Sequence, residues 1–124
     1  MAVIDYLTRT KTVHLATELA NGGEVVTPIW AVVVDGVGYI RSGYGPQSKW
    51  YRRVRRTGRA TFIDGPRRYP VAIENLNDDP VNRAVDEAYR AKYRWQFGAL
   101  RQVVSPRVRA YTMRVEPLTP DADG

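Results

Sequence analysis

One stretch of the chain gathers most of the groups that could handle an anion. Tyr39 to Arg59 (YIRSGYGPQSKWYRRVRRTGR) holds Arg41, Lys49, Arg52, Arg53, Arg55, Arg56 and Arg59, and no acidic residue falls between Asp35 and Asp64. The stretch opens as a strand, passes through a loop with Gly43, Gly45 and Pro46, and re-enters as a short helix opening at Ser48. A glycine loop feeding a Ser-capped helix offers a phosphate unsatisfied backbone N–H groups and the positive end of a helix dipole. Arg41 and Lys49 flank it and would supply charge-assisted hydrogen bonds. The same residues also fit a capped surface helix whose arginines are solvated, and spacing alone leaves both readings open.

Other candidate chemistry is thinner. His14, the single histidine, falls on the polar face of a strand without a visible partner, which reads as a surface residue rather than a base. Glu74, Asp78 and Asp79 look like a carboxylate cluster, but Asp79 is placed to cap a helix and Asp78 to complement its dipole. One histidine and no cysteine disfavour a tight transition-metal site and exclude disulfides and thiolate chemistry. Absent cysteine also fits a reducing cytoplasm, the expected location.

At 124 residues the chain is long enough for one domain with its own core, expected over residues 1–118 with a disordered tail at 119–124. A net charge of +6 and a pI near 9.9 favour anionic partners without choosing among nucleotides, phosphorylated cofactors and nucleic acid. The N-terminal residues lack the basic-then-apolar order of a secretory signal. The longest apolar run, Ile29 to Val34, is strand-sized, so no membrane span is expected.

The elements that must carry the cationic stretch follow from periodicity and turn residues. Thr12 to Leu19 alternates as a half-buried strand, and Asn21-Gly22-Gly23 turns it into Glu24–Val34, which is apolar on both faces. A strand of that kind belongs inside a barrel or between layers. Pro28 within it predicts a bulge or a gap in pairing, which could free backbone for a ligand or simply mark a barrel corner. Asp35-Gly36 makes a two-residue hairpin into Val37–Ser42. The helix from Ser48 to Thr57 should bury Trp50, Tyr51 and Val54, stop at Gly58, and turn its arginines outward.

Strands at Arg59–Asp64 and Arg67–Leu76 come next, joined by Gly65-Pro66. A helix from Pro80 to Phe97 should bury Val81, Ala84, Val85, Ala88 and Trp95, with Asp86 and Arg90 as an exposed pair. The Tyr89–Tyr93 pair on that helix reads as packing. Ser105-Pro106 breaks the chain before a closing strand, Arg107–Leu118. The predicted order is β-β-β-α-β-β-α-β, a mainly β (α+β) six-stranded antiparallel split β-barrel with two helices.

That order, with TPIW, YIRSGYGP, KWYRR and the later AYRAKY, resembles the bacterial DUF2255 family. This family falls within the FMN-binding split β-barrel superfamily of pyridoxamine 5′-phosphate oxidase-like and flavin reductase-like proteins. The resemblance implies a homodimer binding FMN, or the deazaflavin F420, at its interface. It places the flavin ring beside Thr27, Pro28, Ile29 and Trp30, and the phosphate among Tyr39, Ile40, Arg41, Ser42, Ser48 and Lys49. Trp30 or Trp50 would shield or stack on the ring, although core or interface packing is the commoner role of such a tryptophan. Lys49 is followed by Trp50 where the oxidase proper has a second basic residue, and the oxidase's substrate-phosphate residues have no counterpart. Pyridoxamine phosphate is therefore disfavoured as substrate.

Three functions follow from these readings. A flavin-dependent oxidoreductase of unknown substrate needs no nucleophile–base pair, because the flavin carries the hydride chemistry. A cofactor-less structural or small-ligand-binding dimer would keep the barrel alone. A nucleic-acid-binding module would use the basic helix 49–59 with Trp50 and Tyr51, but no recognised motif accompanies it.

Overall fold

The apolar run from Glu24 to Val34 does not form one strand. In a computed structural model, which describes residues 2–118, it breaks at Trp30 into two strands on opposite edges of one sheet. The elements in chain order are α1 (Ala2–Arg9), β1 (Val13–Glu18), β2 (Glu24–Ile29), β3 (Ala31–Val34), β4 (Val37–Arg41) and α2 (Lys49–Thr57), followed by β5 (Arg59–Asp64), β6 (Arg67–Asn75), α3 (Asp79–Lys92), α4 (Phe97–Val103) and β7 (Thr112–Pro117). Short 3₁₀ turns at Gly45–Gln47 and Pro106–Tyr111 precede α2 and β7. The described residues thus form seven strands and four α-helices, where the sequence pattern predicts six and two.

All pairings are antiparallel, and the sheet runs β2-β1-β5-β6-β7-β4-β3. Because β2 and β3 are consecutive in the chain yet lie at opposite ends, the sheet must curl until its edges meet at Trp30. This is a split barrel. Pro28 causes no bulge: the β1–β2 register runs unbroken from Val13–Ile29 to Glu18–Glu24. An edge strand tolerates the missing donor because only one side of it is paired. Asp35 and Gly36, at φ 51° and 78°, make the expected tight hairpin between β3 and β4.

Helix α1 is absent from the sequence reading, although Val3, Tyr6 and Leu7 have the spacing of a buried helical stripe. It packs on β3 and β4, where Gly38 makes room; a Cβ there would lie 2.7 Å from Leu7 Cδ1. The Tyr6 hydroxyl donates to the Ile63 carbonyl at 2.7 Å and accepts from the His14 N–H at 3.1 Å, tying α1 to β5 and β1. One core cluster gathers Leu7, Leu15, Ile40, Phe62 and Met113 with the inner face of α2, where Trp50, Tyr51 and Val54 are buried as expected. The α2 helix ends at Gly58, whose left-handed backbone (φ 73°) lets its N–H reach the Val54 carbonyl.

The second helix of the sequence reading ends early. Chain direction changes at Tyr93, α4 starts at Phe97, and Trp95 is 72% exposed rather than buried. The Tyr93 ring stacks flat on Trp30 at 3.9 Å and 9°. Its hydroxyl accepts from the Ala31 N–H at 3.1 Å and lies 2.6 Å from the Lys11 carbonyl, so this residue is anchored at the barrel seam. The closing strand also starts late, at Thr112, after the turn opened by Pro106. The tail predicted at 119–124 lies outside the described residues.

At the start of α3 the two aspartates exchange the roles that their spacing suggests. Asp78 is the N-cap, accepting from the Val81 N–H at 3.1 Å, and Asp79 lies in the first turn. Asp78→Ala should therefore cost about 1 kcal/mol and Asp79→Ala only about 0.3 kcal/mol. Urea unfolding of the two variants separates these outcomes, and a larger loss in Asp79→Ala than in Asp78→Ala would return the cap to Asp79.

Candidate functional site

Arg41 lies at the end of β4 with its side chain wholly buried. Its guanidinium is fully engaged inside the protein. Nε donates to Thr112 Oγ1 at 2.8 Å, Nη1 to Asp86 Oδ1 and to the Val103 carbonyl at 3.0 Å, and Nη2 to the Asn82 carbonyl at 3.3 Å. The other carboxylate oxygen of Asp86 accepts from Arg109 at 2.7 and 3.1 Å. Asp86 is thus a buried anion shared by two arginines, not the exposed partner of Arg90, which pairs with Glu87 instead. Asn82, Asp86, Tyr89 and Tyr93 form a stripe at helical spacing, the signal by which the sequence could have placed Asp86 inward.

Ser42 is also turned in, its hydroxyl donating to the Gly45 carbonyl at 2.6 Å. Tyr39, Ile40 and Trp50 are buried in the two cores, so Trp50 presents no open ring face. Ser48 and Lys49 differ. Ser48 stands at the N-cap of α2 with a hydroxyl that bonds none of the helix N–H groups. Lys49 is exposed and makes no hydrogen bond or ion pair with any described residue. The N–H groups of the first turn and the positive end of the dipole open at this point.

The arginines of α2 are mostly engaged by the protein. Arg53 Nε donates to Thr17 Oγ1 at 2.6 Å and Arg56 to the Glu18 carbonyl, stapling α2 onto β1. Arg55 donates to the Tyr51 hydroxyl at 3.1 Å, Arg52 to the Pro46 carbonyl at 3.1 Å, and Arg59 pairs with Glu18 at 3.2 Å. Arg52, Arg55 and Arg56 are exposed, as expected, and Arg53 is half-buried, but each also bonds a protein acceptor.

At the seam, α3 covers the backbone between β2 and β3. The Tyr89 hydroxyl donates to the Trp30 carbonyl at 3.3 Å, and Lys92 Nζ donates to the Ala31 carbonyl at 2.7 Å and the Leu7 carbonyl at 2.5 Å. Trp30 is half-buried against Tyr93. Burial pushes the Tyr93 hydroxyl up to about 12, raises that of Tyr89 further, and together with nearby Lys11 lowers the Lys92 ammonium to about 8. Thr27, Pro28 and Ile29 lie farther along β2, whose outer edge has no strand partner among the described residues; Val26 beside them is 48% exposed. Helix α2 packs on β1, the neighbour of this edge.

The same fold occurs in solved structures. The heme storage protein HutZ from Vibrio cholerae aligns with 14% identity over 95% of this chain and 89% of its own, at a TM-score of 0.63. A Listeria innocua protein named for pyridoxamine 5′-phosphate oxidase aligns with 10% identity over 95% and 92%, at 0.65. An F420-H2 dependent reductase aligns with 16% identity over 85% and 92%, at 0.60. At such identities these likenesses establish the split-barrel fold alone. A comparison with curated proteins finds no match. Residues 3–115 match the family described as uncharacterised proteins conserved in bacteria, and the chain therefore belongs to DUF2255.

Proposed function

We propose that the protein binds a flavin, FMN or F420, and acts as a homodimeric oxidoreductase. The observation that carries this reading is the N-terminus of α2, where the Ser48 hydroxyl and Lys49, neither of them paired with any described residue, converge with the first-turn N–H groups. These donors suit a phosphate monoester. Arg41 does not join them, because Asp86 holds it inside. The free edge of β2 at Thr27–Ile29 offers the Pro28 carbonyl as an acceptor, but no N–H donor, to the polar rim of a flavin ring. Trp30, already stacked on Tyr93, forms the wall of that site rather than a platform lying over the ring.

When bound, the flavin supplies hydride transfer. The chain's own residues bind the phosphate, orient the ring and fix the backbone at the seam. Homodimerisation would cover the open β2 edge and Val26, and sedimentation equilibrium should give twice the 14.1 kDa of one chain. The engaged arginines of α2 weigh against the nucleic-acid reading.

The test is titration of the protein with FMN, with F420 in parallel, followed by flavin fluorescence and visible absorbance. Saturable micromolar binding is expected, weakened about tenfold in Lys49→Ala by loss of one charge-assisted contact. Absence of binding for both flavins at tens of micromolar would leave a cofactor-less barrel as the better account.

A further inference from the structure

A cleft of ≈ 490 Å³ opens between the Gly43–Gln47 loop and the segment from Gln102 to Tyr111. Small-molecule sites commonly measure roughly 300–1,000 Å³. Its lining contains Arg107, Tyr44, Tyr111, Gln47 and Gln102, and no carboxylate. Arg107 is exposed and bonds no described residue, in contrast to Arg109 two positions on, which Asp86 holds. Tyr44 is 75% exposed although it is a large ring lining a concave surface. The side-chain amides of Gln47 and Gln102 likewise have no partner among the described residues.

The walls around these unengaged groups are fixed. Ser42 holds the loop through the Gly45 carbonyl at 2.6 Å, and its N–H reaches the Tyr111 carbonyl at 3.3 Å. Arg41 clamps the opposite wall through the Val103 carbonyl, and the Asp86–Arg109 pair fixes the turn that carries Arg107. Tyr111 packs against Gly45, where a Cβ would meet its ring at 3.5 Å. The buried network therefore preorganises a concave site while leaving one guanidinium, one ring and two amides turned toward it.

We infer that this cleft binds a small planar aromatic carboxylate, with Arg107 on the carboxylate and Tyr44 against the ring. A single guanidinium fork matches a planar carboxylate through two parallel hydrogen bonds, and one positive charge balances it. Tyr44 and Tyr111 supply aromatic surface in the lining, and the glutamine amides supply orienting polar contacts. Ser48 and Lys49 do not line this cleft, and the inference does not depend on flavin binding.

Calorimetric titration of the full chain with 2-naphthoate, without added flavin, tests it. Saturable binding is expected, weakened about tenfold or more in Arg107→Gln and several-fold in Tyr44→Ala. The neutral 2-naphthalenemethanol should bind wild type about tenfold more weakly than the naphthoate does. Both substituted residues are exposed, so thermal melts should match wild type and keep the comparison valid. Equal affinity in wild type and Arg107→Gln, or no binding of 2-naphthoate at millimolar concentration, would overturn the assignment. Loss of binding in Lys49→Ala with retention in Arg107→Gln would also overturn it, by moving the anion to the α2 terminus.

Discussion

Asp86→Ala is expected to remove about 3–5 kcal/mol of stability, the largest loss of any single substitution considered for this chain. The side chains of Arg41 and Asp86 are 0% and 2% exposed, so removing the carboxylate strands a guanidinium where water cannot reach it. Against a total of about 5–15 kcal/mol for a domain of this size, that loss is a large fraction. Arg109→Ala should cost far less, about 1 kcal/mol, because Arg109 is 37% exposed and Asp86 keeps Arg41. The double replacement Arg41→Met with Asp86→Leu should recover much of the loss, since an apolar pair of similar volume can match a buried ion pair. Urea unfolding, with m-values compared across the series, reads all three. Asp86→Ala within 1 kcal/mol of wild type would mean that the network relaxes into solvent.

Stability should pass through a maximum near pH 10, with opposite groups shaping its two sides. Lys92 has a folded pKa of about 8, below its ordinary value near 10.5. Between these values the unfolded chain holds more protons, so stability rises from pH 8 toward 10. Tyr89 and Tyr93 are raised above 10, so the folded chain keeps their protons after the unfolded chain has released them. Their contribution is complete below pH 10 and fades above it, at about 1.4 kcal/mol per pH unit for the fully buried Tyr89. Lys92→Met should abolish the rise between pH 8 and 10. Tyr89→Phe should shallow the fall above 10, at the cost of the hydrogen bond to the Trp30 carbonyl. Denaturant titrations at half-unit steps from pH 7 to about 11.5 resolve both limbs, and a flat profile across pH 8–10 would show that the two carbonyl acceptors of Lys92 hold its ammonium at an ordinary value.

Local chemistry alone determined much of this protein. Alternation in Val13–Glu18, positive φ at Asp35-Gly36, the αL stop at Gly58 and the buried stripe Trp50, Tyr51, Val54 are nearest-neighbour properties, and each appears where the residues place it. So does the helix N-terminus at Ser48 and Lys49. Family membership was legible as well, through the runs TPIW and YIRSGYGP.

What the tertiary structure alone decided is which charges are available. Arg41 and Lys49 look alike in sequence, two cations flanking one loop, yet Arg41 is buried against Asp86 and Lys49 faces solvent. Asp86 is 45 positions from Arg41, and Arg109 reaches the same carboxylate from a turn 23 positions farther on. The break at Trp30 has a similar origin. Eleven apolar-rich residues from Glu24 to Val34 suit one long strand, but closure of the sheet puts their two halves on opposite edges, and tyrosines from α3 satisfy the backbone between them. Side-chain charge and turn geometry are written residue by residue. Burial and pairing depend on which distant segment arrives, and that follows from closing the barrel as a whole.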